Sequence, residues 1–284
     1  MSEKEEIMNP TTINLEKIDA WISRLADETD MAAHGEEMTR YLTTLSRFWS
    51  YSARNCYLIA LQRPDATHVA SRKTWESLGR TVKTEEWRNA VQIVCPHFRK
   101  VRDTVTGEEK NVLTRFSTGY VYDVAQTEGR PFPELTWQQT PGYTDLYRWL
   151  FDVAWLMGRR VVELSDLPTH VHGWSDGQGT IAVSMRDTAG SRCQTLLHEL
   201  AHELCHDMGA RTTFTHQMLE CQAEAISYCL CQALGLPTPN TPSYLALYQV
   251  DRVVLMENLE AIRAGIACVL REVERAIMVG TAAA

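Results

Sequence analysis

Apolar residues recur at helical spacing near the start of the chain. Leu15, Ile18, Ile22 and Leu25 fall on one face of a predicted helix over residues 12–28, with Thr12 or Asn14 as its cap. A second helical pattern runs from Glu36 to Leu61. From Val69 onward the period changes. AVQIVCPHF and STGYVYDVAQ, rich in β-branched and aromatic residues, predict strands, with RDTVTGEEKNV between them as a hairpin or loop centred on Thr106-Gly107. GRPFPELTWQQTPG, residues 129–142, gathers three prolines and two glycines and predicts a linker. Beyond it, TDLYRWLFDVAWLMG predicts a helix. VVELSD and GTIAVSM predict strands separated by a Gly-rich turn, GWSDGQG. Helices are expected over 191–208 and 214–234, and over most of 243–278 after the break at Pro237, Pro239 and Pro242. This order predicts an α+β protein of two domains. The expected segments are a helical extension over 1–35, a first domain over 36–135 and a second over 143–284.

Charge separates the two parts. The 284 residues carry a net charge of −8, which excludes a protein that coats nucleic acid over its whole surface. Between Arg40 and Ala125, however, 14 Lys/Arg face 8 Asp/Glu, while the remainder has 14 against 28. A basic segment thus sits inside an acidic protein. The chain opens on the polar MSEKEEIMNP, and no apolar run approaches the roughly 18 residues of a membrane span. Its eight cysteines lack CxxC spacing and read as reduced and structural, so a cytoplasmic protein is expected, with no membrane partner.

The candidate chemistry lies in HELAHELCHD, His198 to Asp207. Residues four apart share a helix face, so His198 and His202 can bind one metal ion, and Glu199 can reach a water on it. A strand nearby can hold an extended peptide by backbone hydrogen bonds, and GTIAVSM is the expected one. A catalytic zinc needs a third protein ligand. LECQAEAISYCL supplies Glu220 and Glu224 on one face of the next helix. Glu220 is assigned as the ligand, with Glu224 holding a ligand histidine by hydrogen bond, although the two roles can be exchanged. His206 is expected at the helix end beside Asp207, where a cation suits the dipole. His170, His172, His216 and Tyr228 are all candidates to stabilise an oxyanion, and spacing does not choose among them.

TLLHELAHELCHD followed by ECQAEAISYCL resembles the zincin-like metallopeptidases of the ImmA/IrrE and ArdC type over roughly residues 145–236. The resemblance implies one Zn²⁺ per chain on His198, His202 and Glu220, with Glu199 as general base; a protein substrate such as a repressor is a separate expectation, from a peptidase and a DNA-binding module sharing one chain.

In the first domain, aromatic and basic residues interleave, as a site that stacks bases and follows phosphates requires. The candidate residues are Arg47, Trp49, Tyr51, Arg54, Asn55, Arg63, Arg72, Lys73, Trp75, Arg80 and Lys83. Helical core packing accounts for the same Trp and Tyr spacing. Arg54 and Asn55 are also of the type that ties a helix to a sheet. The blocks S-x-R-N-x-x-L-I-x-x-Q-x-P-x-A from Ser52 to Ala66, T-W-x-x-L-G-R-x-V-K from Thr74 to Lys83, and V-Y-D-V-A-Q-T-E-G near 121–129 resemble the N-terminal domain of ArdC-type antirestriction proteins. That resemblance implies binding of single-stranded DNA. Lys83-Thr84-Glu85-Glu86 departs from the K-G-E-K turn usual there, lacking its Gly and second Lys. Two functions follow as expectations. One is a zinc metallopeptidase coupled to a DNA-binding module. The alternative is an antirestriction or DNA-protection protein whose metal site is structural or vestigial, which Glu199→Ala would leave intact.

Overall fold

The computed structural model describes residues 10–27, 31–102, 109–132, 142–205, 214–238 and 251–282. Thr106-Gly107, most of the predicted linker, His206, Asp207, Pro239 and Pro242 lie outside them. Backbone contacts divide the chain into two compact units. The first comprises Met1–Arg24 and Arg54–Pro133, the second Leu25–Ala53 and Glu134–Ala284. This differs from the segments expected at 1–35 and 36–135. The single helical pattern over Glu36–Leu61 is two helices, α2 (Met31–Arg47) and α3 (Ala53–Gln62), and only α3 lies in the first unit. The apolar stripe of α2, Met38, Tyr41, Leu42 and Leu45, is buried, and Cys229 of the second unit donates to the Leu42 carbonyl. Spacing alone does not reveal which partner such a stripe meets. Helix α1 (Pro10–Asp27) crosses the division.

The first unit is built on a long antiparallel ribbon, β3 (Val91–Arg102) with β4 (Glu109–Asp123). The short β1 (Val69–Ala70) pairs with the other edge of β4, and β2 (Arg80–Val82) pairs with β5 (Thr127–Gly129). Helix α4 (Arg72–Ser77) starts at Ser71, whose hydroxyl accepts the Thr74 N–H. It delivers Trp75 into a core with Val82 and Tyr122. Helix α3 covers the outer edge of β3 by amide groups. Asn55 accepts from Val94 N–H and donates to Val94 C=O, both at 2.9 Å, and Gln62 does the same at Gln92. Two side chains thereby satisfy an edge that would otherwise present unpaired backbone.

In the second unit, α5 (Tyr143–Leu156) precedes a three-stranded sheet of order β6-β8-β7. Strand β6 (Arg160–Leu164) is parallel to β8 (Thr180–Ser184), and β7 (Gly173–Ser175) is antiparallel to it. Three helices follow: α6 (Ala189–Cys205), α7 (His216–Ala233) and α8 (Arg252–Ala282). Leu196, Leu197, Leu200 and Ala201 bury one face of α6, and α7 is buried along most of its length. Among the described residues, no helix is long and apolar enough to cross a membrane.

Candidate metal centre

Helix α6 begins where the Thr188 hydroxyl accepts the Ser191 N–H, which fixes the register of the two histidines two turns later. On α7 the Thr215 hydroxyl accepts the Met218 N–H in the same way, one turn before Glu220. The packed helices bring three donors together. His198 Nε2 and His202 Nε2 stand 3.1 Å apart, and Glu220 Oε2 lies 3.7 Å and 3.5 Å from them. A tetrahedral ion bound at 2.0–2.1 Å requires ligand atoms about 3.3 Å apart. His198, His202 and Glu220 form the one group of three or more such donors among the described residues, and the set can hold a divalent metal ion.

The electrostatics suit a cation. Burial opposes a charge on His198, but the Glu220 hydrogen bond and the charges of Glu199, Glu220 and Glu224 outweigh it, so its pKa is raised from 6.5. Hydrogen bonds from His198 and His202 hold the Glu220 carboxyl well below the usual carboxylate range. Burial pushes the Glu199 carboxyl up, partly offset by the two histidines. Glu199 is therefore a carboxylate whose proton affinity is raised, which is the property a proton carrier needs.

The donors open on a cavity of about 540 Å³ lined by Glu199, Gly173, Trp174, Ser175, Phe214 and His216 as well as the three donors. The sheet edge beside them is β7, not the strand expected from GTIAVSM, which is the central β8. Strand β7 lies inside the segment that reads as a Gly-rich turn. Its three residues are too few for a period to register. Gly173 makes the close approach feasible: a Cβ there would stand 2.5 Å from the Thr195 methyl and 2.6 Å from the Ala182 carbonyl oxygen, with Glu199 Cγ next at 3.5 Å.

Glu203 carries a role that the motif gave no sign of. Its side chain is 2% exposed. Oε1 accepts from the Ser175 hydroxyl at 2.6 Å and the Gly177 N–H at 2.7 Å, and Oε2 from the Gly179 N–H at 2.9 Å. Arg159 Nε stands 3.4 Å from Oε2. One turn beyond Glu199, this carboxylate clamps the β7–β8 turn to the metal-site helix. Of the oxyanion candidates, only His216 lines the cavity, with Nδ1 3.8 Å from Glu220 Oε1. His172 is paired with Asp187, His170 is exposed on a turn, and the Tyr228 hydroxyl accepts from Gln232.

The residues expected to touch DNA fare differently. Arg47, Trp49 and Tyr51 lie in the second unit and the rest in the first. Trp75 is 1% exposed and donates its indole N–H to the Tyr122 carbonyl, so its faces are core surface. Asn55 is buried on the β3 edge. Arg80 donates to Thr127 and to the Arg130 carbonyl, and Lys83 to the Ala125 carbonyl. Arg63 stands 3.9 Å from Asp65. Arg54, Arg72 and Lys73 are exposed, with Arg72 paired to Glu76 and stacked 4.7 Å over Trp87.

Residues 158–257 match the model of the Peptidase_M78 family, the IrrE N-terminal-like domain. The match contains both helices of the metal centre. An uncharacterized protein of Bacillus anthracis, pXO2-81, is 24% identical over 83% of this chain and 46% of its own length. The chain thus spans about half the length of that curated relative. Two crystal structures of the antirestriction ArdC protein from plasmid R388 are similar. The metal-free one is 17% identical, with a TM-score of 0.48, covering 79% of this chain and 84% of that one. The Mn(II)-bound one is 16% identical, with a TM-score of 0.45, covering 82% and 97%.

Proposed function

We propose that the second unit is a zinc metallopeptidase that cleaves a protein partner, such as a repressor, and that the first unit binds single-stranded DNA. The observation that carries the peptidase reading is the meeting of His198, His202 and Glu220 at ligand separations, on a cavity shared with Glu199 and a sheet edge. Two imidazoles and one carboxylate favour zinc over harder cations, which prefer all-oxygen sites. A bound zinc ion would supply Lewis acidity and lower the pKa of a water. The chain's own residues do the rest. An extended substrate lies along β7, whose outer edge pairs with no strand among the described residues. Glu199 accepts the proton of the attacking water and returns it to the leaving amine. His216, which lines the cavity one turn before Glu220 on α7, donates a hydrogen bond to the developing oxyanion. Glu224, close enough to raise the His198 pKa, supports that ligand.

The test is exposure of a proteome-derived peptide library to the zinc-loaded protein and to Glu199→Gln. New termini produced by the first and absent with the second are expected. Termini produced equally by both, or by neither, contradict the peptidase reading. Sharing a chain motivates one coupling, in which DNA on the first unit gates cleavage by the second. Adding single-stranded DNA should then change either cleavage or the hydrogen-exchange protection of α6 and α7, and no change in both refutes the coupling.

A further inference from the structure

The β3–β4 ribbon carries a surface that none of the DNA-binding candidates named from the sequence occupies. Near its base the ribbon is buried, with Val91, Ile93, Val94 and Val121 in the core. From Pro96 outward the described side chains of both strands are exposed except the half-buried Val101, although apolar and basic residues are interleaved there. Phe98 is 59% exposed, Phe116 37% and Tyr120 52%. Rings left this exposed bury little apolar surface and so contribute little to the fold.

Register places the rings together. Side chains alternate along a strand, so Phe116 and Tyr120 share a face of β4. Pro96 pairs with Phe116, which puts Phe98, Lys100 and Arg102 on that same face of β3. The slip between His97 and Phe98 leaves Thr114 unpaired on β4, so β3 keeps its alternation while the ribbon twists. Phe116 and Tyr120 are roughly 13 Å apart along the strand at ~3.3 Å per residue, with Phe98 diagonal to Phe116. The face is therefore a row of three aromatic rings ending in two cations. Arg99 and Arg115 flank it from the other face. Over both strands five Lys/Arg accompany two acids. Of those acids, Asp123 is buried at the base and accepts backbone N–H groups of Thr67, His68 and Ala125. Glu109 is the other, 3.3 Å from Lys100.

We infer that this ribbon is the platform on which the first unit holds single-stranded DNA, with Phe98, Phe116 and Tyr120 stacking bases and Lys100 and Arg102, on the same face, following the phosphates. The inference rests on the DNA-binding half of the function proposed above and moves its site from α3 and α4 to the ribbon. Charge selects the occupant. An apolar protein surface would be served by the rings alone, whereas rings interleaved with cations suit a chain of stacked bases and phosphates. Duplex DNA hides its base faces, so the row favours single strands.

The experiment is anisotropy of a labelled oligothymidine with the full-length chain over a series of salt concentrations. The variants are Phe98→Ala/Phe116→Ala, Lys100→Glu/Arg102→Glu, and Arg72→Glu/Lys73→Glu on α4 as a comparison, each checked for wild-type circular dichroism. Removal of the two rings should weaken binding by about tenfold or more. The ribbon charge reversal should also flatten the salt dependence, by about 0.7 in log–log slope for each phosphate that is no longer neutralised. The α4 variant should bind within a few-fold of wild type. If the wild type binds and both ribbon variants bind equally well, the ribbon assignment is overturned while the DNA reading stands. If the wild type fails to bind even at low salt, the DNA reading falls and the ribbon with it. Tighter binding to duplex than to the single strand overturns the stacking assignment.

Discussion

Replacing Glu203 by Ala tests whether one buried carboxylate holds β7 and the turn after it against α6. The substitution removes the acceptor of the Ser175 hydroxyl and of the Gly177 and Gly179 N–H groups, and leaves Arg159 without its carboxylate. Breaking a buried ion pair by deleting one partner costs ~3–5 kcal/mol, and stranded buried donors account for a comparable loss. The turn is partly solvated and can relax towards water, so the lower half of that range is expected. A unit of this size loses ~2–4 °C of Tm per kcal/mol, which predicts a fall of about 6–16 °C in the calorimetric transition of the second unit. Glu203→Gln should fall between the two, because its amide NH₂ meets donors where a carboxylate oxygen met them before. Hydrogen exchange adds the local readout: amides at 177 and 179 should lose protection in both variants. A change in Tm of less than about 2 °C for Glu203→Ala, with protection of the turn unchanged, would refute the clamp.

The other predictions concern packing and protons. Gly173→Ala puts a methyl group against the Thr195 side chain and the Ala182 carbonyl and should destabilise the second unit by ~1–3 kcal/mol, read by urea denaturation; an unchanged midpoint means that β7 does not lie so close to α6. Asn55→Ala strands both backbone groups of Val94 and should cost the first unit ~1–3 kcal/mol, a value within ~0.5 kcal/mol of zero counting against the edge-capping role. Metal affinity should depend on pH with a definite sign. The His198 pKa is raised from 6.5, so as pH falls through it a proton competes with the ion and affinity drops by at least about tenfold per pH unit. Glu220, held far below that range, contributes nothing to this slope. Chelator competition measures it, and a flat profile across that window contradicts histidine ligation.

Much of the geometry of the candidate metal centre was legible in the chain because a helix turns short spacings into geometry. HELAH at four-residue spacing and Glu220 one helix later need only two packed helices to converge, and α6 and α7 supply them. Helix α1 was readable for the same reason. Strand β7 was not, since three residues among glycines carry no period, and the clamp by Glu203 depends on a turn that only the folded chain brings near. The first unit shows the other limit. Trp75 and Asn55 are polar-tipped residues in a basic stretch, and composition cannot tell a ring that stacks on a base from one whose N–H reaches a backbone carbonyl inside the core. The exposed rings of the ribbon were hidden for another reason: a strand pattern does not show whether Phe98 and Phe116 face a core or solvent.

The central claim is that His198, His202 and Glu220 hold one metal ion. Elemental analysis of the purified protein beside Glu220→Ala and Glu224→Ala tests it directly. The account predicts about one zinc per chain in the wild type, lost with Glu220→Ala and retained with Glu224→Ala. A wild-type protein that takes up no metal when supplied with zinc, or that keeps its metal without Glu220, contradicts it.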